Sequence, residues 1–109
     1  MDRLNVEKEI KIHLGLKHPR VVELLDFFEE DGKAYLILEH ISGGNLFKYM
    51  GRNRRLQKNF IKTIFSDVLD AINYLHNNEI ILRDLKPENI LLDSSNHAKS
   101  IYNIYLIKF

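Results

Sequence analysis

The chain has 109 residues, with 16 Lys plus Arg against 15 Asp plus Glu and a formal net charge of +1. That balance argues for neither nucleic acid nor a membrane surface as an obligatory partner. Apolar residues at 45% and charged residues at 28% mark a soluble globular chain rather than a disordered one. The absence of cysteine excludes disulfides and thiolate metal sites. No apolar run reaches the length of a membrane span, and Met1-Asp2-Arg3-Leu4-Asn5 is not followed by the apolar stretch of a signal peptide. The expected compartment is the cytosol or the nucleus.

Residues 5–17 read as a helix whose apolar face carries Val6, Ile10, Leu14, Ile12 and Leu16, with Glu7, Lys8 and Lys11 elsewhere on its surface. His18-Pro19 breaks it, because proline disfavours helical geometry in the residue before it. Val21 to Phe28 and Lys33 to Glu39 read as two strands, and the Asp31-Gly32 pair between them signals a hairpin. Ser42-Gly43-Gly44 is expected to be a flexible break, after which Asn45 can cap a short helix through Tyr49. A long helix is expected at 58–77, where Ile61, Ile64, Phe65, Val68, Leu69, Ile72 and Leu75 recur at three- and four-residue spacing. Asp93-Ser94-Ser95-Asn96 is a turn. The final segment, Ile101 to Phe109, is aromatic, β-branched and nearly uncharged, a composition that pairs as exposed strand or aggregates.

Between the long helix and that turn lies Ile80-Ile81-Leu82-Arg83-Asp84-Leu85-Lys86-Pro87-Glu88-Asn89-Ile90-Leu91-Leu92. Two short aliphatic runs, read as buried strands, hold a loop bearing a carboxylate, an ammonium and an amide. That set suits a reaction in which a carboxylate meets a hydroxyl, a cation meets a phosphate and an amide helps hold a metal. The stretch closely resembles the catalytic loop of eukaryotic protein kinases, with Leu82 standing where the family has histidine. Lys86 followed by Pro87-Glu88-Asn89 is similar to serine/threonine rather than tyrosine kinases, and the chain resembles the Aurora and calcium/calmodulin-dependent groups about equally.

The resemblance implies an α+β fold, a fragment of the protein-kinase-like fold. It comprises the family's helix C, the hairpin of its fourth and fifth strands, the hinge, helices D and E, and the catalytic loop. It also implies roles. Asp84 would orient the proton of the substrate hydroxyl, Lys86 would neutralise the transferring phosphoryl group, and Asn89 would ligate magnesium. Leu38 would be the gatekeeper, the backbone at Glu39 and Ile41 would bond adenine, Asn45 would meet the ribose, and Leu91 would form the floor under adenine. Glu9, ten residues before Pro19, stands where the family pairs a glutamate with a phosphate-gripping lysine. ATP and Mg2+ are the implied cofactors and a protein bearing Ser or Thr the implied partner. Glu88 resembles the acid that favours basic residues near the target serine.

The chain departs from the family pattern in showing no glycine-rich loop, no phosphate-gripping lysine, no Asp-Phe-Gly and no Ala-Pro-Glu. The expectation is therefore a chain lacking the family's first three strands and its later C-lobe. Residues 1–99 would form a partial kinase domain, with 1–39 a remnant of the N-lobe and 40–99 the hinge and the start of the C-lobe. Residues 100–109 would be a non-kinase tail. Such a chain would be weakly stable and aggregation-prone, with little or no phosphoryl transfer. The rival readings are a non-catalytic kinase-like binding module and a non-functional truncated product. The basic run Lys48, Arg52, Arg54, Arg55, Lys58 and Lys62 is expected to be a solvated surface, and the histidines have no metal-ligand spacing.

Overall fold

The computed structural model describes residues 3–82, 85–100 and 106–108. Helix α1 (Arg3–Leu14) is followed by strands β1 (Leu24–Glu30) and β2 (Lys33–Leu38), then by helices α2 (Leu46–Arg52) and α3 (Lys58–Asn77). Strand β3 (Ile80–Leu82), a 3-10 turn (Pro87–Asn89) and strands β4 (Ile90–Leu92), β5 (Ala98–Ser100) and β6 (Leu106–Lys108) complete the described chain. The architecture is α+β, and among the described residues three antiparallel two-stranded pairs form: β1 with β2, β3 with β6, and β4 with β5.

The hairpin forms where its turn chemistry places it. Asp31 and Gly32 both take positive φ, 51° and 74°, the geometry a two-residue turn needs to match strand twist. Across it the rings of Phe28 and Tyr35 stack at 4.9 Å. The first strand begins later than Val21, however. Val22 N–H donates to the Ser100 carbonyl at 3.1 Å and Ser100 N–H to the Arg20 carbonyl at 2.7 Å, so this stretch pairs with the end of β5 instead of with β2. Ser100, the first residue of the expected tail, is fully buried by that pairing, and Leu106–Lys108 lies in register with β3.

Helix α1 also ends earlier than its periodicity predicts. It stops before Gly15, whose backbone freedom makes continuing the helix costly, and not at the proline. Leu14 is consequently exposed, and His13 takes its place inside with Ile10 and Leu16. The burial pattern of α3 is split in the same way. Ile64, Ala71 and Leu75 are buried, with Val68 packed beside them, but Ile61, Phe65 and Leu69 form a second row in solvent. Seven apolar residues at three- and four-residue spacing span a wider arc than β3, β4 and β5 cover, so one flank stays bare.

Among the described residues two apolar clusters result, both using α3. One joins Leu16, Val21, Ala71, Leu75 and Ile80, with Ile12 and Tyr74 against it. The other joins Leu46, Ile64, Ile90, Leu92 and Ala98, with Tyr49, Phe60 and Val68 packed on it. Tyr74 ties the first cluster to the turn after α1: its hydroxyl accepts from Lys17 N–H at 2.8 Å, and its ring stacks on His18. The second cluster sits beneath the hinge between β2 and α2. No helix among the described residues is long and apolar enough to cross a membrane.

Candidate nucleotide cleft and catalytic loop

The hinge runs from Glu39 to Asn45 and is fastened to β4. Gly43 N–H donates to the Leu92 carbonyl and Leu92 N–H to the Gly44 carbonyl, both at 2.8 Å, and Asn45 bridges Leu91. The expected flexible break is thus a tight seam. A Cβ on Gly43 would stand 2.3 Å from the Leu92 carbonyl oxygen, and Gly44 takes φ +73°, so both glycines are required by close approach and backbone angle. The seam brings β4 under the hinge and opens a cleft of about 490 Å³.

Leu36, Leu38, Glu39, His40, Ile41, Gly44, Asn45, Lys48, Glu88 and Leu91 line that cleft. Five residues given an adenosine role from sequence, Leu38, Glu39, Ile41, Asn45 and Leu91, therefore face one space although they lie on three elements. Asn45 has a second duty, since its Oδ1 accepts from Lys48 N–H at 2.8 Å and caps α2. Glu9 lies on α1, half-buried and away from the cleft lining. Asn89 is buried at the end of the 3-10 turn, where its N–H donates to the Lys86 carbonyl at 2.9 Å; Lys86 is exposed. Asp84 lies outside the described residues, as does its neighbour Arg83.

Sequence reading gave no cleft position to Lys48, which stood in the basic run, or to Glu88. The first turn of α2 and the 3-10 turn bring them there. It also passed over Asp67. This carboxylate is buried in α3, accepts from Ala98 N–H at 2.8 Å, bonds His97 Nδ1 at 3.0 Å and lies 3.7 Å from Arg20 Nη1. It holds the β4–β5 hairpin, and with it Leu91 of the cleft lining, on the long helix. The available signal was an acid between Ile64 and Val68 on the buried side of an amphipathic helix. At the hairpin tip, Asp93 Oδ1 accepts from Ser95 and His97 N–H at 2.8 and 3.0 Å. Desolvation raises the Asp93 pKa, but those two bonds and nearby positive charge outweigh it, so the carboxyl titrates below its ordinary range.

Compared with known proteins, the chain matches the protein kinase domain family over residues 1–105. The chain belongs to the protein kinase family. It is 42% identical over 98 residues to a ribosomal protein S6 kinase beta of Caenorhabditis elegans, covering 90% of this chain and 18% of that protein. It is 44% identical over 95 residues to the probable serine/threonine-protein kinase MARK-C of Dictyostelium discoideum, covering 84% and 12%. A CBL-interacting protein kinase 24 of Oryza sativa subsp. japonica is 42% identical over 94 residues, covering 86% and 21%. This kinase chain thus spans no more than about a fifth of the length of these relatives. The similarity is to serine/threonine kinases, and the family as a whole uses ATP and Mg2+ on protein substrates.

Proposed function

We propose that this chain carries the adenine-binding cleft and the catalytic loop of a serine/threonine protein kinase, and that residues 1–109 on their own bind adenine nucleotide but transfer little phosphate. The observation that supports the reading is the convergence of Leu38, Glu39, Ile41, Asn45 and Leu91 on one cleft of about 490 Å³. That volume is within the range of small-molecule sites. Two apolar side chains, Leu38 and Leu91, can hold the purine faces, and the hinge backbone at Glu39 and Ile41 can match a donor and an acceptor on the adenine edge. Glu39 N–H is already bonded to the Glu23 carbonyl at 3.0 Å, so the Glu39 carbonyl is its group for adenine.

In the proposed reaction the γ-phosphoryl group passes from ATP to a protein Ser or Thr hydroxyl and ADP leaves. Asp84 takes or orients the hydroxyl proton, and Lys86 offsets charge on the phosphoryl oxygens. Mg2+, when bound, would neutralise phosphate charge; Asn89 is the residue to hold it, and its buried carboxamide offers the oxygen ligand this cation favours. Among the described residues no group of three or more His, Asp or Glu side chains converges on a metal position. The β1–β2 pair above the cleft is a two-stranded sheet, marginal by itself in water, which is the reason to expect weak transfer from the isolated chain.

Calorimetric titration with Mg·ATP and Mg·GTP, beside a phosphorylation assay on a serine-containing protein, tests this. Saturable binding of ATP, tighter than GTP, with transfer no greater than in Asp84→Asn is expected. Absence of ATP binding by folded chain would overturn the cleft assignment, and transfer well above that variant would overturn the inactivity.

A further inference from the structure

Glu39 is tied to the protein by more than the cleft requires. Its Oε1 accepts from Glu23 N–H at 2.9 Å while its own N–H donates to the Glu23 carbonyl at 3.0 Å, closing a ring with the backbone of one residue. Lys99 Nζ then donates to both carboxylate oxygens, at 3.1 and 3.0 Å. Lys99 is the central residue of β5, and its partner across the hairpin is Leu91, the cleft floor. One ammonium therefore joins the strand pair beneath the cleft to the first residue of the hinge.

The surroundings separate this contact from ordinary core packing. Both side chains are about a fifth exposed, and a second cavity of about 290 Å³ lies against them, lined by Lys17, His18, Pro19, Glu23, Glu39 and Lys99. A pair with water on one side adds little to global stability. It does fix direction: a carboxylate gripped through both oxygens, on a residue whose N–H is also bonded, leaves the peptide after Glu39 little freedom to turn.

We infer that Lys99 is a positioning residue for nucleotide recognition, holding the Glu39 carbonyl and the Ile41 N–H at a set height above Leu91. This rests on the cleft reading above. The hinge polar groups read the purine edge, whereas the phosphates bind elsewhere, so loosening the hinge reduces discrimination between purines more than it reduces fold stability. Preorganising recognition groups of this kind increases affinity by removing the ordering cost at binding.

Hydrogen–deuterium exchange on the nucleotide-free full chain is the first measurement. Lys99→Met should speed exchange of the amides at 38–42 about fivefold or more while α3 amides keep their protection, and Lys99→Arg should restore the hinge. Unchanged hinge exchange in Lys99→Met would overturn the clamp whether or not nucleotide binds. Should Lys99→Met lose its fold, Glu39→Gln keeps an acceptor for Glu23 and removes only the charge, and the same comparison of hinge with α3 decides. The second measurement is titration with Mg·ATP and Mg·GTP. Lys99→Met should raise the ATP dissociation constant about five- to tenfold and bring it closer to that for GTP, with a small change in melting temperature and recovery in Lys99→Arg. Equal loss for both nucleotides would overturn the positioning role. A wild-type chain that binds no ATP, yet whose hinge loosens on Lys99→Met, would sink the cleft reading and leave the clamp standing.

Discussion

Gly43→Ala puts a methyl group where the backbone of β4 already stands. The added Cβ would lie 2.3 Å from the Leu92 carbonyl oxygen, 3.0 Å from its carbon and 3.2 Å from the Asp93 oxygen. None of these atoms is the end of a flexible side chain, so relief requires moving the hinge away from β4. Overpacking of this kind costs about 1–3 kcal/mol. Separating the strands also lengthens the two 2.8 Å bonds of Gly43 and Gly44 with Leu92, each worth about 1 kcal/mol. The sum is about 3–5 kcal/mol, enough to lower the melting temperature of a domain this size by roughly 15 °C or to abolish its cooperative transition. Circular dichroism against temperature and urea measures it. Gly51→Ala is the internal control: it lies in α2 with nothing within 4 Å of a built Cβ, and should gain about 0.5–1 kcal/mol. A Gly43→Ala chain melting within about 3 °C of the parent would refute the close-approach argument.

Asp67→Ala should cost about 2–4 kcal/mol in urea unfolding, because it leaves the Ala98 N–H without its buried acceptor; most of that belongs to the Ala98 bond, since His97 is 44% exposed and its pairing is screened. Asn45→Ala should lose about 1 kcal/mol with the α2 cap, while Asn45→Asp, which keeps the acceptor, should lose less. For pH, burial lowers the His13 pKa from its ordinary 6.5, partly offset by the Val22 carbonyl. The unfolded chain then takes up a proton before the folded one, so stability is full above about 6.5 and falls as pH drops from there toward the lower folded value. His13→Leu should flatten that dependence in melts between pH 5 and 7.5; an unchanged slope would count against the buried neutral imidazole.

The sequence by itself determined the family, the hairpin turn at Asp31-Gly32, the Asn45 cap and the extent of α3. These are local matters: a positive-φ pair, a capping oxygen and an apolar period each act within a few residues. What only the tertiary structure decided depends on which surfaces meet. The α3 periodicity could not say that β3, β4 and β5 would cover Ile64, Ala71 and Leu75 and leave Phe65 bare. Nothing near Gly43 announced that Leu92, far along the chain, would press against it. The α3 spacing puts Asp67 on the buried side of the helix, but its partner is set only when Ala98 arrives beside it. Lys99 and Glu39, sixty residues apart, become a pair only once β5 is folded under the hinge. Sequence spacing encodes the period of a helix or strand, but contact between distant segments is set by packing, and the cleft is made of such contacts.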